Sequence, residues 1–192
     1  TSSPLINVEK IKPSFEELGK NGVDDLQLNY FPQIKSISHV HTAGNSPAMA
    51  DAAALTLLSN SNNSSSNKVQ ARAIIKDIAV INDDPLLVLS GCVKATQELL
   101  KKTQLTVNDV DLFEIHEAFA STIIFAQRKL KIPEEKLNVN GGCIALGHPM
   151  GATGSIMLSS LIDEMERQDL KTGIVATSGA AGAGTALLIE RL

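Results

Sequence analysis

From residue 71 to the C-terminus, short apolar runs alternate with longer runs of helical periodicity, and that alternation restricts the fold more than any other feature of the chain. The segments "ARAIIKDIAVI" (71–81), "DLFEI" (111–115), "LNVN" (137–140), "TGIVATS" (172–178) and "AGTALLIER" (183–191) read as strands. Between them, "GCVKATQELLKKT" (91–103), "EAFASTIIFAQRKL" (117–130) and "GATGSIMLSSLIDEMERQ" (151–168) read as helices. Strands that are apolar on both sides need cover on both faces. The expectation is therefore an α/β domain of α-β-α layers around a mixed sheet, with its last two strands paired antiparallel. No segment recurs at a fixed period, which excludes a solenoid.

The N-terminal third follows a different pattern. Residues 1–35 are polar and broken by Pro4, Pro13, Gly19, Gly22 and Pro32, so that only "SFEELGK" reads as a short helix, stopping at glycine. "IKSISHV" alternates imperfectly, and "HTAGNSPAMADAAALTLLSN" turns at Gly44–Pro47 before a small-residue helix expected over about Ala48–Leu58, closely packed on all sides. "SNSNNSSSN" (59–67) has nothing to bury and is expected to be a mobile surface loop. It divides the chain into residues 1–68 and a domain over 69–192.

Bulk properties exclude several classes of function. The 192 residues are 43% hydrophobic with a net charge of −4, no Trp and one Tyr. Nothing in that resembles a nucleic-acid surface. "IIKDIAVI" and "STIIFA" are far shorter than the roughly 18–20 residues of a membrane span, and no basic-then-apolar signal opens the chain. Cys92 and Cys143 read as free thiols in a reducing compartment. A first residue of Thr1 leaves open a processed or partial polypeptide.

Among the motifs, "SGAAGAG" has glycines in the wrong spacing for a dinucleotide cradle and leads into a strand, so it reads as a hairpin that lets another group approach its backbone. His39 and His41 share a strand face without an acidic or cysteine partner and read as surface or edge histidines; no metal site is expected. His116 and His148 stand apart from these. His116 ends the strand "DLFEI", and His148 lies before the next helix, wedged between Gly147 and Pro149 in "NGGCIALGHPMGATGS". Spacing alone admits two readings of this pair. Either both histidines share an active-site edge at the carboxyl ends of strands, or Glu114 and His116 are polar helix caps.

Four motifs then carry a family resemblance. "GGCIALGHPMGATGS" resembles the histidine signature of the thiolases, and "DVDLFEIHEAFA" resembles their motif ahead of Ala-Phe. "TAGNSPAMADAAA" is similar to the segment ending their N-terminal half, and "ATSGAAGAGTALLIER" to their closing motif. The motifs follow the family's order across residues of roughly 41–192. His rather than Asn at 116 resembles the thiolases acting on longer acyl chains, including trifunctional-complex β-subunits. The resemblance implies a thiolase-like fold and thiolysis, or its reverse, of a 3-ketoacyl-CoA on a thiolate. His148 would activate the nucleophile and donate to the keto oxyanion, which His116 would help complete. Ser178 and Ala180 would take the places of the proton-shuttling cysteine and a backbone oxyanion donor. Ser46 and Pro47 would lie along the CoA channel.

The chain departs from the family in three respects. Nothing here matches the nucleophilic cysteine of the N-terminal half, and Cys92 and Cys143 read as core filler. Ser178 stands where a cysteine is expected, and a hydroxyl cannot trade protons at neutral pH as a thiol of pKa about 8.5 can. Pro47 replaces a frequent serine. These departures leave a rival reading, a non-catalytic thiolase-like protein that keeps acyl-CoA binding or an assembly role. A free-standing structural module fits less well with two intact histidine motifs. The resemblance further implies coenzyme A as substrate with no permanently bound cofactor, and an N-terminal thiolase half as partner. It also implies a homodimer or homotetramer of full-length chains, and a cytoplasmic (bacterial) or mitochondrial or peroxisomal (eukaryotic) location.

Overall fold

A computed structural model describes residues 10–60 and 70–192. The Ser/Asn run over 59–67 lies outside those residues apart from Ser59 and Asn60, as does the start of the lead-in. Among the described residues the α-helices are α1 (Glu16–Leu18), α2 (Asp24–Tyr30), α3 (Gly91–Thr103), α4 (Ala120–Leu130), α5 (Cys143–Leu146) and α6 (Thr153–Arg167). The strands β1 (Ala73–Asn82), β2 (Leu112–Ile115), β3 (Thr172–Ser178) and β4 (Ala183–Arg191) make one sheet in the order β1-β4-β3-β2. β4 runs antiparallel to both its neighbours, whereas β2 and β3 are parallel. A parallel pair needs a crossover, and the chain between β2 and β3 supplies it with α4, α5 and α6.

The two-residue period of the strands sends alternate side chains into two cores. On one face Ile174 and Ala176 of β3, with Phe113, Ile115 and Leu188, pack against Leu99 of α3 and Ala126 of α4. On the other, Val175, Leu112 and Ile189 pack against Met157, Leu161 and Met165 of α6. This is the α-β-α mixed-sheet fold expected from the alternation. α3 and α4 each end on a left-handed residue, Gln104 (φ 58°) and Lys131 (φ 58°), with basic side chains in the last turn where the helix dipole favours them. The glycine-rich hairpin does admit a neighbour: a Cβ on Gly184 would lie 2.1 Å from the Gly91 carbonyl, so the start of α3 docks directly on β4.

Several expectations fail, each for a local reason. No helix forms over 48–58; residues 51–60 have no regular structure, and Leu55 is 93% exposed. A lone helix of that length is marginal in water without a packed face, and this segment has none among the described residues. "LNVN" is not a strand. Leu137 makes a single bridge to Phe113, after which Asn138 (φ 45°) turns the chain. Its side-chain amide then replaces the next rung of the ladder: Oδ1 accepts from Ile115 N–H (2.7 Å) and Nδ2 donates to Ile115 C=O (2.9 Å). The first helix does not stop at Gly19 but passes through it, breaks at Asn21–Gly22 and resumes as α2. "IKSISHV" forms no strand, so His39 and His41 share no strand face. His39 pairs with Asp24 (3.0 Å), and His41 bonds Ser121 Oγ (2.8 Å) while its ring packs edge-on to Phe15 and Phe119.

Candidate active site

β2 and β3 are parallel, so their carboxyl ends share one edge of the sheet, and both expected site strands end there. His116 is the first residue past β2, and its N–H donates to Ala176 C=O (2.9 Å), continuing the ladder by one step. α4 starts at Ala120 instead of 117, because Phe119 before it is extended (φ −155°, ψ 160°). The Glu117 carboxylate accepts from Ile144 N–H (2.9 Å) and from Asn138 Nδ2 (3.3 Å). A single acidic side chain thereby ties the end of β2 to the one-turn helix α5, which precedes His148.

His148 is held by its backbone and by its ring. Gly147 has φ +90° and ψ 163°, a conformation open to glycine and strained for other residues, and a Cβ there would meet Ala50 Cβ at 2.7 Å. The His148 N–H donates to Ala48 C=O (2.7 Å), and its C=O accepts from Ala50 N–H (3.4 Å), a parallel bridge centred on Met49. The ring is oriented by Nδ1, 2.7 Å from Thr153 Oγ1 at the start of α6. So placed, the imidazole lies against that of His116 with centroids 4.5 Å apart and planes at 44°. The helix-cap alternative for His116 fails: its ring is buried against another ring, and its Nε2 has no hydrogen-bond partner.

Burial and the neighbouring His148 push the His116 pKa below the ordinary histidine range, against a backbone hydrogen bond with Ser178 that acts the other way. His116 is therefore a neutral imidazole at neutral pH. Burial, with the Glu117 and Glu164 carboxylates nearby, pushes Glu114 up to about 8. A protonated carboxyl thus sits two residues before His116, inside the sheet.

The remaining expected residues divide. Ser178 is buried at the end of β3, but its hydroxyl donates to Leu89 C=O (2.8 Å) and accepts from Cys92 N–H (2.9 Å). Both hydrogen bonds go to the start of α3, so the hydroxyl proton is engaged there, while the Ser178 backbone bonds His116. Ala180 is exposed in the turn between β3 and β4, next to Ala181 in a left-handed conformation (φ 58°). Ser46 and Pro47 are half-buried and lie between two anchors of one strap: Asn45 C=O accepts from Ala120 N–H (3.0 Å), and Ala48 C=O accepts from His148 N–H.

Cys143 is buried as expected, but beside the histidines. Its sulfur and one nitrogen each of His116 and His148 all lie within 4.8 Å of one another. Its presence five residues before His148 in the same glycine-bounded motif was the available signal. Cys92, in contrast, is fully buried in the core as expected, and burial pushes both thiols upward. Two touching imidazoles, one with a free buried nitrogen, together with a thiol, can donate to a carbonyl oxygen and exchange protons with a bound group.

Comparison with known proteins bears on this arrangement. Residues 69–191 match a family model described as the thiolase C-terminal domain. The peroxisomal 3-ketoacyl-CoA thiolase 1 of Arabidopsis thaliana is 34% identical over 192 residues, covering 99% of this chain and 39% of that protein. The 3-ketoacyl-CoA thiolase of Cronobacter sakazakii is 40% identical over 187 residues, covering 96% and 46% respectively. The crystal structure of the Bacillus anthracis acetyl-CoA acetyltransferase matches with a TM-score of 0.76 at 36% identity, over 79% of this chain and 38% of that one. The chain spans less than half the length of each of these proteins.

Proposed function

The chain belongs to the thiolase family, and from that premise we propose that it is the C-terminal part of an acyltransferase that cleaves or forms 3-ketoacyl-CoA through a cysteine thioester. The observation that carries this is the contact of His116 and His148 at the carboxyl edge of the sheet, with His148 Nδ1 engaged by Thr153 and its Nε2 left for chemistry. In this reading His148 Nε2 takes the proton of a nucleophilic thiol, stabilising the thiolate by charge and hydrogen bonding. His116, neutral and buried, gives its ring proton to the Ser178 backbone, so its free Nε2 accepts from a held water whose other proton reaches the developing oxyanion of the thioester or keto group, where low polarity strengthens the bond. The exposed Ala180 turn supplies a second backbone donor, and the strap bearing Ser46 and Pro47 borders the pantetheine path. Residues 69–192 act as one domain in this reading, and residues 1–68 as the tail of the preceding half.

The nucleophile comes from an N-terminal thiolase half. Such a partner is consistent with the exposed apolar side chains of the edge strand β1, Ile74, Ile78 and Val80, and of Leu55 and Leu57. Coenzyme A is substrate rather than resident cofactor, and the assembly is a homodimer or homotetramer of full-length chains. No described helix is long and apolar enough to cross a membrane. The relatives include a peroxisomal plant thiolase and bacterial ones, in line with a peroxisomal, mitochondrial or bacterial cytoplasmic setting.

One observation favours a second reading. With the Ser178 hydroxyl bound to Leu89 and Cys92, no thiol occupies the family's proton-shuttle position, which suits a protein that binds acyl-CoA without turning it over. The two readings separate in one experiment. The 192-residue chain alone should not cleave acetoacetyl-CoA or longer 3-ketoacyl-CoA. Joined to an N-terminal half bearing the nucleophilic cysteine, it should do so, and His148→Ala should cut turnover at least about 100-fold. Turnover insensitive to His148→Ala removes the catalytic reading. Acyl-CoA binding without turnover in the joined protein, restored by Ser178→Cys, supports the second.

A further inference from the structure

We propose that His116, Cys143 and His148 form a binding site for a single zinc-like divalent ion. Three potential ligand atoms already lie within 4.8 Å of one another, on a buried thiol, a buried imidazole and a half-buried imidazole. An independent feature points the same way: His116 is 6% exposed, and its Nε2 is one of two buried side-chain polar atoms among the described residues that lack a hydrogen-bond partner. A buried imidazole nitrogen without a partner is costly to leave so, and a metal ion satisfies it.

The surroundings supply what a metal-bound histidine requires. Thr153 Oγ1 engages His148 Nδ1 at 2.7 Å, which fixes the ring and leaves Nε2 as its remaining nitrogen. The Cys143 loop is anchored by the Glu117 carboxylate on Ile144 N–H. Two imidazole nitrogens and one sulfur are a borderline-soft set that suits tetrahedral Zn²⁺, with the fourth position open to water. Zn–N distances of about 2.0 Å and a Zn–S distance of about 2.3 Å put neighbouring ligand atoms roughly 3.3–3.5 Å apart, so the cluster need close by no more than about 1.5 Å. Binding forms one Zn–S and two Zn–N bonds, and the Cys143 proton leaves to solvent. Metal occupancy and proton transfer are then exclusive uses of the same two rings, which makes zinc an inhibitor of any chemistry they perform.

Cobalt(II) titration of the 192-residue chain tests this without reference to activity. One equivalent should produce sulfur-to-cobalt charge-transfer absorption in the near ultraviolet together with intense tetrahedral bands in the visible, and one equivalent of Zn²⁺ should bleach both. Cys143→Ser, nearly isosteric, should abolish the charge-transfer band, and His148→Ala should weaken binding at least about 10-fold. Thr153→Val should weaken it to an intermediate degree, since loss of an outer hydrogen bond costs about 10–100-fold. His41→Ala, outside the cluster, should change nothing. Absence of the charge-transfer band in the folded parent chain overturns the site. So does a band that persists in Cys143→Ser, or cobalt affinity equal in the parent and His148→Ala.

Discussion

His148 is fixed by three separate contacts: the backbone bridge to Ala48 and Ala50, the glycine before it, and the hydroxyl of Thr153. Their contributions differ in kind. The bridge and Thr153 bond polar groups, whereas Gly147 contributes by what it lacks, since a side chain there would both occupy a strained backbone region and collide with Ala50. Gly147→Ala is accordingly expected to cost about 1–3 kcal/mol and to detach the strap over 48–50. Urea denaturation reads the first effect, and faster amide exchange at Ala50 and His148 reads the second. An unchanged urea midpoint would mean that the loop relaxes freely around the added methyl.

α6 carries one side of the sandwich and positions the site from its first residue, Thr153. Its far end is held by Glu164, which accepts from Arg167, Gln168 and Asn140. Those hydrogen bonds, Arg167 foremost, lower the Glu164 pKa to about 2 from an ordinary value of 4.5. In the window between these two values the unfolded chain binds the proton more readily than the folded one. The stabilisation is therefore complete above pH 4.5 and lost as pH falls toward 2. Glu164→Gln should be less stable than the parent at pH 6 and should lose stability less steeply from pH 4.5 downward. Urea midpoints measured at pH 6, 4.5 and 3.5 check this, and equal slopes for the two proteins would place the acid sensitivity in other carboxylates.

The molecule as a whole is a layered domain with a strap. Residues 40–50 cross from the aromatic contacts of Phe15, His41 and Phe119 to the bridge at His148. Residues 51–60 then leave the surface, with Leu55, Leu57 and Leu58 exposed. Exposed apolar residues in irregular backbone are the preferred target of thermolysin, since the protease needs extended chain in its cleft. Limited digestion should cut first at Leu55–Leu58, and the larger fragment should keep the cooperative unfolding of the intact chain, because both cores lie beyond residue 70. Early cuts within 91–191, or loss of cooperativity after the 55–58 cut, would show that the strap is integral to the fold.

The layered domain and the candidate histidines were readable because each rests on a short-range pattern. The β3 and β4 boundaries, the helix over 91–103 and the mixed sheet follow from apolar period and turn residues, which act over a few positions. His116 and His148 each sit within a motif whose glycines and flanking strand restrict the local backbone. What the pattern missed depends on partners distant along the chain. "LNVN" has the composition of a strand, yet Asn138 spends its amide on Ile115, twenty-three positions away, and the ladder ends there. The alanine-rich 48–58 segment looks helical, but a helix of that size depends on a packed face, which no local pattern can provide. The surroundings of Ser178 and Cys143 were hidden for the same reason. The docking of α3 on the end of β3, which engages the Ser178 hydroxyl, and the pull of Glu117 on α5, which brings Cys143 to the imidazoles, are contacts that exist only once the sheet has assembled.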